Sequence, residues 1–197
     1  MRRDKSEKKR KIMVIIMGVI ILLSMVVSIF AVYIDNATTN ELTYNKVNFK
    51  ITENGYTTKI DGKKLNFQFY PSQVESINVS NEVSNLLNEE FIVFVFDPNM
   101  SSTDLTYIDM VRYDLEFNNQ LNKQVFFGIT KQSSNYPNLP VLDCRNATPQ
   151  MPIFVFNSSL QTSINADDFC VYLNAKGTDI VAVKDRLLFS HYKIINQ

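Results

Sequence analysis

The chain has 197 residues with 20 Lys plus Arg against 20 Asp plus Glu, and this formal zero is the average of two unlike parts. The first 34 residues hold seven of the cations and two of the acids, which leaves 13 against 18 on the rest, an excess of five negative charges. That balance argues against a nucleic-acid partner, which needs a basic face, and against a domain lying flat on anionic lipid.

Residues 1–11 form a basic tail, with Arg2, Arg3, Lys5, Lys8, Lys9, Arg10 and Lys11 against Asp4 and Glu7. Ile12 to Ile34 then carries no charged side chain. A helix rises about 1.5 Å per residue and a hydrocarbon core is about 30 Å thick, so residues 12–34 are expected to span a lipid bilayer. Short basic segments stay on the cytoplasmic side, so the tail is expected inside the cell and everything after Ile34 outside it. A cleaved signal peptide is the rival, with Ile29 and Ala31 ahead of Val32 as the cleavage pair. A pilin-type stalk would want an acid near the start of the run, and Met13 to Met17 offers none.

Asp35 to Asn45 is polar and lacks apolar periodicity, so residues 35–45 read as a linker and 46–197 as one extracytoplasmic domain, long enough for a real core. Asn54-Gly55 and Asp61-Gly62 separate Val47–Thr52, Tyr56–Ile60 and Leu65–Tyr70, the pattern of a three-stranded antiparallel meander. Pro71 ends it, Ile77–Val79 suggests a short strand, and Val83, Leu86 and Leu87 suggest a brief helix.

Phe91–Phe96 is continuously apolar and stopped by Asp97-Pro98-Asn99, the signature of a strand buried on both faces. A helix over 104–121 follows, with Leu105, Ile108, Val111 and Leu115 as its stripe, and Gln124–Thr130 closes a parallel β-α-β unit. The long loop 131–149 leads to strands at 153–156 and 169–173, read as a C-terminal hairpin, and to a last helix with Ile180, Val183, Leu187 and Ile194 on one stripe. The fold class expected is α+β or α/β: an N-terminal transmembrane helix, then one domain whose mixed sheet takes in the N-terminal antiparallel meander, the central β-α-β unit and the C-terminal hairpin, with helices packed against it.

Cys144 and Cys170 are the only cysteines, and on an oxidising side they are expected to form a disulfide. Asp97, just past the carboxyl end of the expected central strand, is with Asp104 a weak candidate for a cation or ligand site, against the commoner reading of a turn and a helix cap. His191, the only histidine, falls beside the apolar stripe of the last helix with no local orienting carboxylate or nucleophile, so it reads as a partly buried helix residue. Asp109, Arg112 and Glu116 are spaced for ion pairs on a solvated helix face. Among five sequons, Asn36 in the linker and Asn146 in the long loop are the possible glycosylation acceptors. No catalytic residue, metal ligand set or cofactor motif emerges.

LPVLDC (139–144), NATPQMPIFVF (146–156), Cys170 and KDRLLFSHY (184–192) together look like a group of small, single-span, membrane-anchored archaeal proteins to which no activity is assigned. That resemblance implies placement and architecture only. A fainter one is to the thioredoxin-like fold, carried by strand 91–96, helix 104–121, strand 124–130 and Met151-Pro152 before a hairpin and final helix. It implies no thiol exchange, because Asp97-Pro98-Asn99 stands where the CxxC pair belongs.

The resulting expectation is a membrane-anchored extracytoplasmic domain, non-enzymatic, that contacts another envelope or membrane protein or a component of the cell wall. An anchored hydrolase or metal-dependent enzyme using the Asp97 region, and an accessory subunit of a membrane transporter packing through Ser24 and Ser28, are the alternatives.

Overall fold

The computed structural model describes residues 3–38 and 40–195. The chain divides into two units, Met1–Glu41 and Leu42–Gln197. In the first, α1 (Arg3–Thr38) is one continuous helix. Its 19-residue segment Ile12–Phe30 is long and apolar enough to cross a membrane, and its apolar side chains are exposed. Ser24 and Ser28 donate their hydroxyls to the backbone carbonyls of Ile21 and Ser24, both at 2.8 Å, so neither leaves an unpaired donor on an apolar surface. This helix fits a membrane anchor or a signal sequence alike.

The second unit begins with a four-stranded antiparallel meander, β1 (Glu41–Tyr44), β2 (Val47–Thr52), β3 (Gly55–Ile60) and β4 (Lys63–Phe67), in that order. Asp61 and Gly62 sit at φ 49° and 82° between paired Ile60 and Lys63, the tight turn the dipeptide predicts. At the first turn the register pairs Thr52 with Gly55, so Glu53 and Asn54 form the bend and Gly55 opens β3. Glycine is required there for space: a Cβ would lie 2.2 Å from the carbonyl oxygen of Phe67. Residues 35–45, expected as a linker, are placed with 35–38 in α1 and Glu41–Tyr44 in β1, so the meander has a fourth strand and starts earlier. Asn45 and Lys46, both at positive φ, make its turn, a conformation less visible in sequence because no glycine marks it.

After α2 (Pro71–Val74) and α3 (Asn81–Leu86) comes a separate five-stranded sheet, β6-β5-β7-β9-β8. It is built from β5 (Phe91–Phe96), β6 (Gln124–Ile129), β7 (Ile153–Ser158), β8 (Ser163–Asp167) and β9 (Cys170–Ala175). The expected β-α-β unit is present: α4 (Ser102–Arg112) links parallel β5 and β6, and Ser101 caps it by accepting from the Asp104 amide. The helix ends earlier than 121, passing into a π-helical turn at Tyr113–Phe117.

Two expectations are corrected. The meander does not extend the mixed sheet; the two sheets are separate. The strands at 153–156 and 169–173 do not pair as a hairpin, since β7 and β9 run parallel and the hairpin is β8 with β9. The hairpin that a thioredoxin-like chain would form directly after Pro152 is therefore missing at that place. β8 escapes a pattern search because SINAD (163–167) buries only Ile164, as an edge strand can.

Alternation along the strands splits the core. Ile92, Phe94, Phe96, Phe154, Phe156, Val171 and Leu173 join the cluster that also holds α4, α5 and the meander residues Phe49, Leu65 and Phe67. On the opposite face Val93, Val95, Ile153, Val155 and Cys170 are covered by Leu142, Cys144, Ala147 and Met151 of the long loop. The Cys144–Cys170 disulfide, with Cα atoms 5.4 Å apart, pins that loop down. The last helix, α5 (Asp179–His191), is buried from Ile180 through Phe189. Phe189 stacks on Phe67 of β4 at 4.4 Å while α5 also packs on α4 and β9, so α5 is the central layer between the two sheets.

Candidate functional site at the end of the central helix

A helix packed on all sides should be apolar all round. Lys184, Asp185 and Arg186 break that rule while being 1%, 0% and 3% exposed. Lys184 Nζ lies 2.8 Å from Asp185 Oδ1 and 2.8 Å from Asp114 Oδ2, the latter carried in by the π-helical turn. Burial works to lower the Lys184 pKa, but the Asp185 and Asp114 carboxylates outweigh it and hold the ammonium charged, its pKa above the ordinary lysine value. The second oxygen of Asp185 accepts from the backbone amides of Gln68 and Phe69, both at 2.8 Å, and Arg186 Nε donates to the Ile77 carbonyl. These charges tie α5 to the chain leaving the meander and to the segment after α2.

The carboxyl end of α5 opens instead onto a cavity of about 260 Å³ lined by Asn81, Ser84, Asn88, Ser190, His191, Lys193 and Ile195. Helix α3 supplies one wall, because Ser80 accepts from the Val83 amide and Val83 and Leu86 turn into the core, leaving the polar Asn81 and Ser84 toward α5. The Ser84 and Ser190 hydroxyls meet at 3.1 Å. The imidazole of His191 packs edge-on against Tyr192, with ring centres 4.8 Å apart. Its Nδ1 is buried without a hydrogen-bond partner. Burial pushes the His191 pKa below the usual value and nearby Lys123 and Lys63 push it further, against the opposing pull of the Leu121 carbonyl. At neutral pH this is an uncharged imidazole in the wall of the cavity.

The residues singled out from sequence lie elsewhere. Asp97 accepts from the Asn99 amide at 2.9 Å and from Lys131 Nζ at 3.0 Å. Asp104 is 1% exposed and receives Gly177 N–H at 2.8 Å and the Ser158 hydroxyl at 3.0 Å, tying the first turn of α4 to the end of β7 and the turn before α5. Each carboxylate is engaged by partners of its own. Among the described residues no group of three or more His, Cys, Asp or Glu is placed to hold a metal ion. Arg112 pairs with Glu116 at 3.0 Å and with Asp109 at 3.8 Å along the helix, as their spacing implies. Asn146 lies in a short 3-10 turn, its Oδ1 accepting from the Asp143 amide, and Asn36 falls near the end of α1.

Sequence reasoning passed over Asn81, Ser84, Asn88, Ser190 and Lys193, which carry no motif and meet only through the packing of α3 on α5. The charged triplet inside an otherwise apolar helix was the one available signal that α5 is unusual. Searches against family models, curated proteins and solved structures return no match to this chain.

Proposed function

We propose that this chain is a single-pass membrane protein that displays a binding domain outside the cell, with residues 1–11 in the cytoplasm and the domain contacting a component of the envelope. The observation that carries the reading is the exposed apolar segment Ile12–Phe30 placed shortly before a domain with a disulfide, a bond that persists in oxidising compartments. Basic residues ahead of the segment support the orientation. A binding role rather than catalysis is supported by the cavity at His191, whose lining has hydroxyls, amides, one imidazole and the Lys193 ammonium but no carboxylate. A stripe of Met110, Tyr113 and Phe117 stays outside the core, Tyr113 and Phe117 being 60% and 68% exposed and stacked at 6.0 Å, which suits a protein partner.

The test has two arms. Protease added to intact cells should remove the domain and spare the tail; resistance of the domain, or a mature form beginning near Val32, sinks the anchored reading. Crosslinking in native membranes followed by purification of the tagged chain should recover a specific envelope component, and recovery of the chain alone under several crosslinkers sinks the binding reading.

An anchored hydrolase is the second reading. It is favoured by one feature, a cavity lined by His191 together with Ser84 and Ser190, and not by the Asp97 region from which sequence would have drawn it.

A further inference from the structure

We infer that the outer face of α4 and its π-helical turn docks a cationic segment of a partner polypeptide, with an arginine or lysine side chain of that segment lying between Tyr113 and the carboxylates of Asp109 and Asp114. This rests on the envelope-binding reading above and names the kind of partner bound.

The helix carries two apolar stripes. Ile108, Val111 and Leu115 are buried in the core. On the other side Met110, Tyr113 and Phe117, spaced i, i+3 and i+7, are 40%, 60% and 68% exposed, and Thr106 continues the row toward the amino end. A surface helix ordinarily turns polar side chains to water there, and large apolar ones at this spacing are the pattern by which a helix face grips a partner. Alongside the row is a groove of about 460 Å³ lined by Gln68, Thr106, Asp109, Met110, Tyr113 and Asp114. Its lining holds two carboxylates and no cation.

Charge decides which partner fits. Arg112 is shared between Glu116 at 3.0 Å and Asp109 at 3.8 Å, and Lys184 between Asp114 and Asp185, both at 2.8 Å. Four carboxylates therefore face two cations, on a domain that already carries an excess of acids. Asp109 also accepts from the Tyr136 hydroxyl and Asp114 from the Asn118 amide, neutral donors that leave the charge uncancelled. Lys63 is held at the carbonyl of Asn119, beyond Phe117 in the chain, and Lys131 is paired with Asp97. Asp109, its side chain 52% exposed, is the more open of the two groove carboxylates. An anionic partner is repelled here, and a neutral apolar one would cover the rings while desolvating unbalanced charge. A guanidinium or ammonium meets both needs: it pairs with Asp109 or Asp114 beside the Tyr113 ring, and its aliphatic stem covers Met110.

The chain contains no tryptophan, so Phe117→Trp places a single fluorescent reporter on the stripe. The full-length variant, in phosphatidylcholine nanodiscs, is titrated with the capped peptide Leu-Arg-Ala-Leu-Arg and with the same peptide carrying citrulline, a neutral isostere, in place of arginine. The arginine peptide should shift the emission to shorter wavelength and saturate, the citrulline peptide should bind roughly tenfold more weakly, and excess native chain should compete for the peptide. Asp109→Asn/Glu116→Gln in the reporter background should weaken binding by roughly tenfold, with unchanged far-UV circular dichroism. Emission unmoved by the arginine peptide, no competition from the native chain, or equal affinity for the two peptides or in the double variant overturns the inference. So does a stronger response to the neutral sugar maltotriose, or an emission that shifts with protein concentration alone, which would make a second copy the occupant. Because the peptide is supplied, its failure to bind strikes this docking surface alone, whereas a failed crosslinking arm with the peptide bound strikes the envelope reading.

Discussion

The carboxylate of Asp185 accepts the backbone amide of Phe69 at 2.8 Å, across 116 positions of sequence. With the Gln68 amide on the same oxygen and Lys184 on the other, one side chain of the central helix fixes where the chain leaves the meander. Its replacement by alanine leaves a buried ammonium short of a partner and two buried amides without an acceptor. Asp185→Ala should lower unfolding stability by about 3 to 5 kcal/mol in urea titrations. A loss under 1 kcal/mol would mean that α5 and the meander are not held together through this residue.

His191 should make the domain less stable in mild acid. Its folded pKa is depressed by burial, Lys123 and Lys63, so between that value and the unfolded value near 6.5 the unfolded chain binds more protons. The contribution is complete above about pH 6.5 and is lost as pH falls through the window below it. The melting temperature of the native chain should therefore drop between pH 7 and pH 5, and by less in His191→Gln. Parallel curves for the two proteins would refute the assignment.

Asp104 acts lower on the pH scale. Burial raises its pKa, but the Gly177 amide and the Ser101 and Ser158 groups more than offset this and leave it below the usual aspartate value. Its stabilisation is present above pH 4 or so and disappears as pH falls through the lower folded value. Asp104→Asn should flatten the acid limb of the stability curve, and Asp104→Ala should cost about 2 kcal/mol because it strands the Gly177 amide.

Reduction of the Cys144–Cys170 bridge, which closes a separation of 26 residues, should remove about 3 to 4 kcal/mol in the chain-entropy picture. It should also free the loop that covers Val93, Val95 and Val155. A dye that fluoresces on apolar surfaces should bind the reduced protein more than the oxidised one under native conditions. Equal binding would show that the loop holds its place through Leu142 and Met151 alone.

For the amino-terminal helix, Leu22→Arg at the centre of Ile12–Phe30 should disfavour insertion by about 2.5 to 3.5 kcal/mol and shift the chain into the alkali-extractable fraction. Full retention in the membrane pellet would speak against this segment as the anchor.

Much of the local structure was legible. Phe91–Phe96 announced a doubly buried strand because six adjacent apolar residues have no polar face to turn outward, and Asp61-Gly62 announced a turn because glycine reaches positive φ without strain. Glu41–Tyr44 and Ser163–Asp167 were opaque for the converse reason: an edge strand can leave most of its side chains in water and carries little alternation. The candidate site was opaque too, since serine, asparagine and lysine have no motif until packing sets them around one imidazole.

By itself the sequence determined the charge-free amino-terminal helix, the β-α-β unit and the only available cysteine pairing, because each rests on periodicity, propensity or arithmetic among near neighbours. Tertiary structure alone decided that the meander forms a second sheet, that β7 and β9 run parallel, and that Lys184 and Asp185 are buried as a pair. Those outcomes depend on contacts that local pattern does not fix, such as Phe67 on Phe189, where several packings stay open and only the joint burial of both sheets on α5 selects one.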